Sequence, residues 1–203
     1  GNPMGNLMEA LYLAMEEDDD VRDGDFQGET LAGIETRSLS FVRCKFQNVT
    51  FGENENVHLS FVDCELRHCD LSGLRLVDGS LHRTNLFGCR AAGMLVDNSS
   101  VRNVGFTDCK LDYLTLSRCR LRQVTFRDCD LTRLLMQQCE WSRLQLEGCV
   151  LREGEFARQS LAGLDFSTCE ISGIRVSPAD IRGAKISPAQ AMEICGIFGV
   201  EIV

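Results

Sequence analysis

The sequence predicts an all-β solenoid: a four-sided coil of about eight turns, with a short helix before it and a helix plus short strand after it. Three observations carry that prediction. A step of five from Phe26 to Ile186 visits 33 positions, of which only Thr36 and Asn56 are not apolar. Nine of the eleven phenylalanines fall on this one phase. Two residues before each such position from Phe106 to Leu151 sits a second small or apolar side chain, in the order Val104, Cys109, Leu114, Cys119, Val124, Cys129, Leu134, Cys139, Leu144 and Cys149. An amphipathic helix repeats at about 3.6 residues and a strand at two, so a period of five fits neither. It closes if each pentapeptide forms one side of a square coil and a corner separates the sides.

Stacked at ~4.8 Å, about eight coils make a rod ~40 Å long with faces of at most ~16 Å, which are nucleic-acid-like proportions. The net charge of −9 is concentrated before the rod: residues 1–25 hold eight acids against Arg22, whereas the remainder has 22 acidic and 20 basic residues. A nearly neutral rod weakens any inference from overall acidity to mimicry of a polyanion. Ten of the eleven cysteines occupy the inward slot two before the central residue, and Cys195 alone lies outside it. Cys69, Cys89, Cys109, Cys129, Cys149 and Cys169 therefore stack in one column, where free thiols act as small hydrophobes. No C-x-x-C pair or histidine-rich cluster suggests a metal. A reducing cytoplasm is the expected compartment, and no signal segment or membrane span is expected.

In chain order, residues 1–23 read as an acidic leader. Asn6 and Glu9 make a helix-start pair, Leu7, Leu11, Met15, Met8 and Tyr12 make an apolar face, and Asp18, Asp19 and Asp20 oppose the macrodipole and end the helix. Residues 24–187 form the repeat. Its first coils are irregular: Glu29 and Thr36 spoil inward slots, and Gly52, Glu53, Asn54, Glu55, Asn56 and Val57 form either a small loop or an internal asparagine ladder. Ala91 and Asp97–Ser100 weaken the pattern again. Glycine at the fifth slot marks corners that need positive φ. Trp141, the largest inward residue, is expected to pack, with a lean toward the surface as the alternative. In residues 188–203, Ser187, Pro188 and Gln190 open a helix that stops at Gly196 or Gly199, and Val200, Ile202 and Val203 form a strand.

Units such as Cys129-Asp130-Leu131-Thr132-Arg133 and Cys69-Asp70-Leu71-Ser72-Gly73 resemble those of the pentapeptide repeat proteins, over roughly residues 24–187. The resemblance implies a right-handed quadrilateral β-helix. Asp180-Ile181-Arg182-Gly183, followed by Gln190-Ala191 and Gly199-Val200-Glu201-Ile202, resembles the C-terminal end of the Qnr-like branch. That likeness implies end-to-end dimerisation through Ala191, Ile194, Ile197, Phe198, Val200 and Ile202, simple end-capping being the alternative. It also implies a DNA-mimicking rod that binds a type II topoisomerase, DNA gyrase or topoisomerase IV, and protects it from quinolones, with Gly52–Val57 as a partner-binding loop.

The residues offer no catalytic site and call for no cofactor. His58, His68 and His82 sit in outward slots, and no carboxylate pair is fixed by a motif. Arg118, Arg120, Arg122, Arg127, Arg133 and Arg143 cluster in the chain without an aromatic stacking platform, so direct nucleic-acid binding is not expected. The alternative to topoisomerase binding is an interaction scaffold with another protein partner. An unbroken acidic stripe would favour mimicry; evenly mixed charge would favour the scaffold.

Overall fold

The computed structural model describes residues 6–31, 38–52 and 58–203. Thr36 and the expected loop residues Glu53–Val57 lie outside them. The described chain is a right-handed parallel β-solenoid, as the strong preference of parallel crossovers requires. Coil stacks on coil in steps of twenty: Thr30, Thr50, Asp70, Arg90, Lys110, Asp130, Val150 and Glu170 pair successively, eight rungs joined by seven parallel bridges.

Each coil has four faces. The first is centred on Phe41, Phe61, Leu81, Val101, Leu121 and Trp141, and the second on Phe46, Leu66, Leu86, Phe106, Phe126 and Leu146. Four strands, Ser80–Phe87, Ser100–Thr107, Arg120–Arg127 and Glu140–Glu147, run across both faces and fuse them into one bent sheet. The third face has only single bridges, and the fourth has strands of two or three residues.

Alternation explains the interior. Central residues and those two before them point inward, and Leu111, Leu131 and Leu151 are each 0% exposed. Stacking is direct where rings recur at twenty: the Phe106 and Phe126 centroids lie 4.6 Å apart at 6°. The early coils are filled by Phe26, Phe41, Phe46, Phe51 and Phe61, packed edge-on and tilted as well as stacked.

The inward cysteines do more than fill space. Cys129 Sγ donates to Phe106 O at 3.4 Å and to its own corner at Arg127 O, 3.3 Å, and most inward thiols repeat this pair of bonds. Thr84 and Ser99 do the same with hydroxyls. A small donor in this slot thus ties a coil to the one before it, which Val or Leu cannot do. Hydrogen bonds from the neighbouring thiols, together with burial, push Cys89 and Cys129 above the usual thiol range. All eleven cysteines are free thiols.

Corners are left-handed. From His58 to Gly163 every fifth residue has positive φ, glycine or not; Tyr113 is at 58° and Arg158 at 48°. On the third face the corner is a hydrogen-bonded turn, Leu74 N donating to Leu71 O at 3.0 Å with Gly73 at φ 70°, as a type II turn requires. Tyr113, Arg133 and Glu153 hold the same turn position in later coils at roughly 1–2 kcal/mol each relative to glycine. Coil-to-coil bonding fixes them there.

Both ends are covered. Helix α1 (Asn6–Glu17) buries Leu7, Leu11 and Ala14. Contrary to the sequence reading, Tyr12 and Met15 are 47% and 44% exposed: Tyr12 lies well around the cylinder from the Leu7–Leu11 line, and Met15 sits at the margin of the buried face. The helix ends where expected: Asp18 turns left-handed at φ 50° and Asp19 N donates to Ala14 O at 2.9 Å. Glu29, which looked like a spoiled inward slot, accepts a 2.8 Å bond from Leu7 N and so satisfies a donor in the first turn of α1.

At the other end, helix α2 (Pro178–Ile181) interrupts the last repeats, its Asp180 N bonded to Ser177 Oγ at 3.2 Å. Helix α3 (Ala191–Cys195) follows a single turn at Pro188–Gln190. Gln190 Oε1 accepts from Ser187 N at 2.8 Å, and its Nε2 donates to Phe166 O and Cys169 O, both at 2.7 Å. Those bonds occupy carbonyls at the end of the solenoid. Residues 200–203 form no strand, correcting the sequence reading: Gly199 is left-handed at φ 70° and Val200 N folds back to Cys195 O.

Candidate interaction surface

The structure disperses the sequence-predicted sites. Of the expected loop only Gly52 is described, half-buried with φ 61°. In the C-terminal element, Ile194 and Ile197 pack against the core, whereas Ala191 is exposed and Phe198, Val200 and Ile202 are 54–55% exposed. The histidines point outward, and among the described residues no His, Cys, Asp and Glu cluster could hold a metal. No described helix is long and apolar enough to cross a membrane.

The outward charges follow the coil step. Seven arginines pair with an acid on an adjoining coil, among them Arg43 with Asp23, Arg83 with Asp63, Arg118 with Asp97 and Arg133 with Glu153. Hydrogen bonds from Arg43 and Arg83 hold the Asp23 and Asp63 carboxyls below the usual carboxylate range. These pairs are exposed and contribute little individually. Their effect on the surface is larger: acids and bases mix within a column, as in Asp25, Lys45 and Glu65 or in Asp70, Arg90, Lys110 and Asp130. No described face carries an unbroken acidic column.

The arginine run from residue 118 to 143, compact in the chain, spreads over the rod. Arg127 lies on the second face with Glu147, and Arg133 at a third-face corner over Tyr113. Arg120 and Arg122 share the first face with Arg102, which the chain-order reading missed, and Arg143 stands at the corner that ends this face. A step of twenty finds it: His82, Arg102 and Arg122 are register neighbours on successive strands. Burial and the nearby Arg83 and Arg102 lower the pKa of His82. Beside this column, Trp141 is the one central residue between Phe61 and Ile171 that is not buried, and its Nε1 donates to Ser160 O at 2.9 Å. The indole packs against the core with one side and leans toward the surface with the other.

The geometry is that of a solenoid whose chemistry lies on its outside. A family model described as a pentapeptide repeat region matches residues 59–134 and, overlapping, 80–156. Residues 59–156 are thus a pentapeptide repeat region. Among solved structures it is similar to QnrB1, a plasmid-mediated fluoroquinolone resistance protein, in a trypsin-treated variant form, at 14% identity over 90% of this chain and 98% of that one, TM-score 0.48. It is also similar to HetL of the cyanobacterium Nostoc sp. strain PCC 7120, a pentapeptide repeat protein involved in heterocyst differentiation regulation, at 15% identity over 89% and 96%, TM-score 0.39. No curated protein matches the sequence.

Proposed function

We propose that this chain is a non-enzymatic scaffold that engages a protein partner through the outer faces of its rod. One observation carries the reading: the interior is consumed by packing, while the outer columns display charge of both signs, part of it paired across coils, with no group of His, Cys, Asp and Glu among the described residues that could hold a metal. The ten buried free thiols support a reducing, cytoplasmic setting. The Qnr-like resemblance offers DNA gyrase or topoisomerase IV as the partner, with quinolone protection as the outcome; the mixed-charge columns weigh against duplex mimicry, which needs a continuous acidic surface.

The same resemblance joins two rods through the C-terminal element, and the exposed Phe198, Val200 and Ile202 supply the apolar contact. Sedimentation then gives twice the 22.6 kDa chain mass, reduced to one by Phe198→Asp. The partner assignment is tested by titrating the protein into gyrase supercoiling with and without ciprofloxacin. The scaffold reading predicts neither protection nor inhibition. Restored supercoiling at modest excess would replace it with topoisomerase binding.

A further inference from the structure

Six of the seven arginines in the inter-coil pairs contact their acid within 3 Å, yet among the described residues Arg102, Arg120 and Arg122 on the first face and Arg143 at its corner have no ion pair. Arg102 and Arg122 are direct register partners on adjacent strands, a like-charge juxtaposition that disfavours folding. Glu140 lies in register with Arg120 and forms no ion pair with it. The next outward residues on this face, Ser142, Ser160 and Ala162, are small or uncharged, so the half-buried Trp141 stands at the edge of an open strip. A shallow groove of ≈ 330 Å³ runs between Arg120, Arg122, Glu140 and Trp141.

We infer that this face, Arg102, Arg120, Arg122 and the corner Arg143 with Trp141, docks an acidic extended segment of a partner protein. Charge complementarity supports it: four exposed guanidiniums that form no ion pair, with Glu140 the one acid among them, are matched by carboxylates, and the indole offers an apolar anchor at one end of the set. Tryptophan and arginine are the residue types in which interface energy concentrates. A nucleic-acid strand fits less well. The indole is alone, its N–H already bonded, and no second aromatic continues a stacking series on this face.

The inference rests on the binding-rod reading and names its surface. The sole tryptophan makes the site its own reporter. The full chain is titrated, at low salt, with a short fluorescein-labelled peptide of glutamates around one phenylalanine, following anisotropy; an unlabelled copy is used to follow Trp141 emission. Saturable binding that shifts the emission, and that weakens roughly tenfold in Arg102→Ser/Arg122→Ser but not in the third-face variant Arg152→Ser, supports it. Loss in the double variant with unchanged circular dichroism assigns the effect to contact and not to folding. Binding untouched by the double substitution, an unmoved emission, or tighter binding of an oligothymidine than of the peptide overturns it. Any of those results sinks this face alone, because the scaffold reading is decided separately in the supercoiling assay.

Discussion

Replacing Leu131 with lysine abolishes cooperative folding. Leu131 is a central residue in the middle of the rod, 0% exposed, with Leu111 and Leu151 twenty residues away on either side and equally buried. Its backbone is pinned by Leu131 N to Val150 O at 2.7 Å and by Leu134 N to Leu131 O at 3.0 Å, so the side chain cannot rotate outward without breaking the turn. An ammonium at this point has no carboxylate within the core, and its desolvation costs several kcal/mol beyond the ~2–5 kcal/mol of a Leu→Ala cavity. Domains are stable by only ~5–15 kcal/mol. In a solenoid each coil is held by its neighbours, so a break at mid-rod uncouples the two halves. Thermal unfolding followed by circular dichroism checks this. Leu131→Ala melts early but cooperatively, and Leu131→Lys shows no transition; a soluble lysine variant with an unchanged midpoint would refute the inward assignment.

Gln159→Leu lowers stability by roughly 2–4 kcal/mol although it swaps a polar group for an apolar one in the core. Gln159 is 2% exposed and occupies the inward slot that Cys119 and Cys139 hold in the preceding coils. Its Oε1 accepts from Cys139 N at 2.6 Å, and its Nε2 donates to Cys139 O at 2.9 Å. Leucine matches the volume and leaves both backbone groups buried without these partners, at ~1–3 kcal/mol for each. The midpoint should fall by several degrees at ~2–4 °C per kcal/mol. A gain in stability would mean that packing, not hydrogen bonding, governs this slot.

Much of this was legible in the sequence because the fold is periodic. The five-residue phase placed the core, and the twenty-residue step placed the cysteine column. What the sequence hid was of another kind. Glycine announces a left-handed corner, but Tyr113 and Arg133 adopt one under the force of coil-to-coil bonds and carry no local sign of it. Glu29 looked like a defect because its partner, Leu7, lies 22 residues away on the helix that covers the first coil. The arginine cluster was read along the chain, whereas contact runs in steps of twenty, so Arg127 and Arg133 were grouped in and Arg102 left out. Trp141 obeys the phase and breaks the rule of burial, which size alone hinted at.

Every surface assignment depends on the alternation that sends cysteine in and arginine out, and thiol counting tests it most directly. Ten thiols are buried and only Cys195 is partly accessible. Native protein treated with a chromogenic disulfide reagent is predicted to release at most one equivalent promptly, and all eleven after denaturation. Prompt release of several equivalents from the folded protein would place cysteines on the surface and contradict the account.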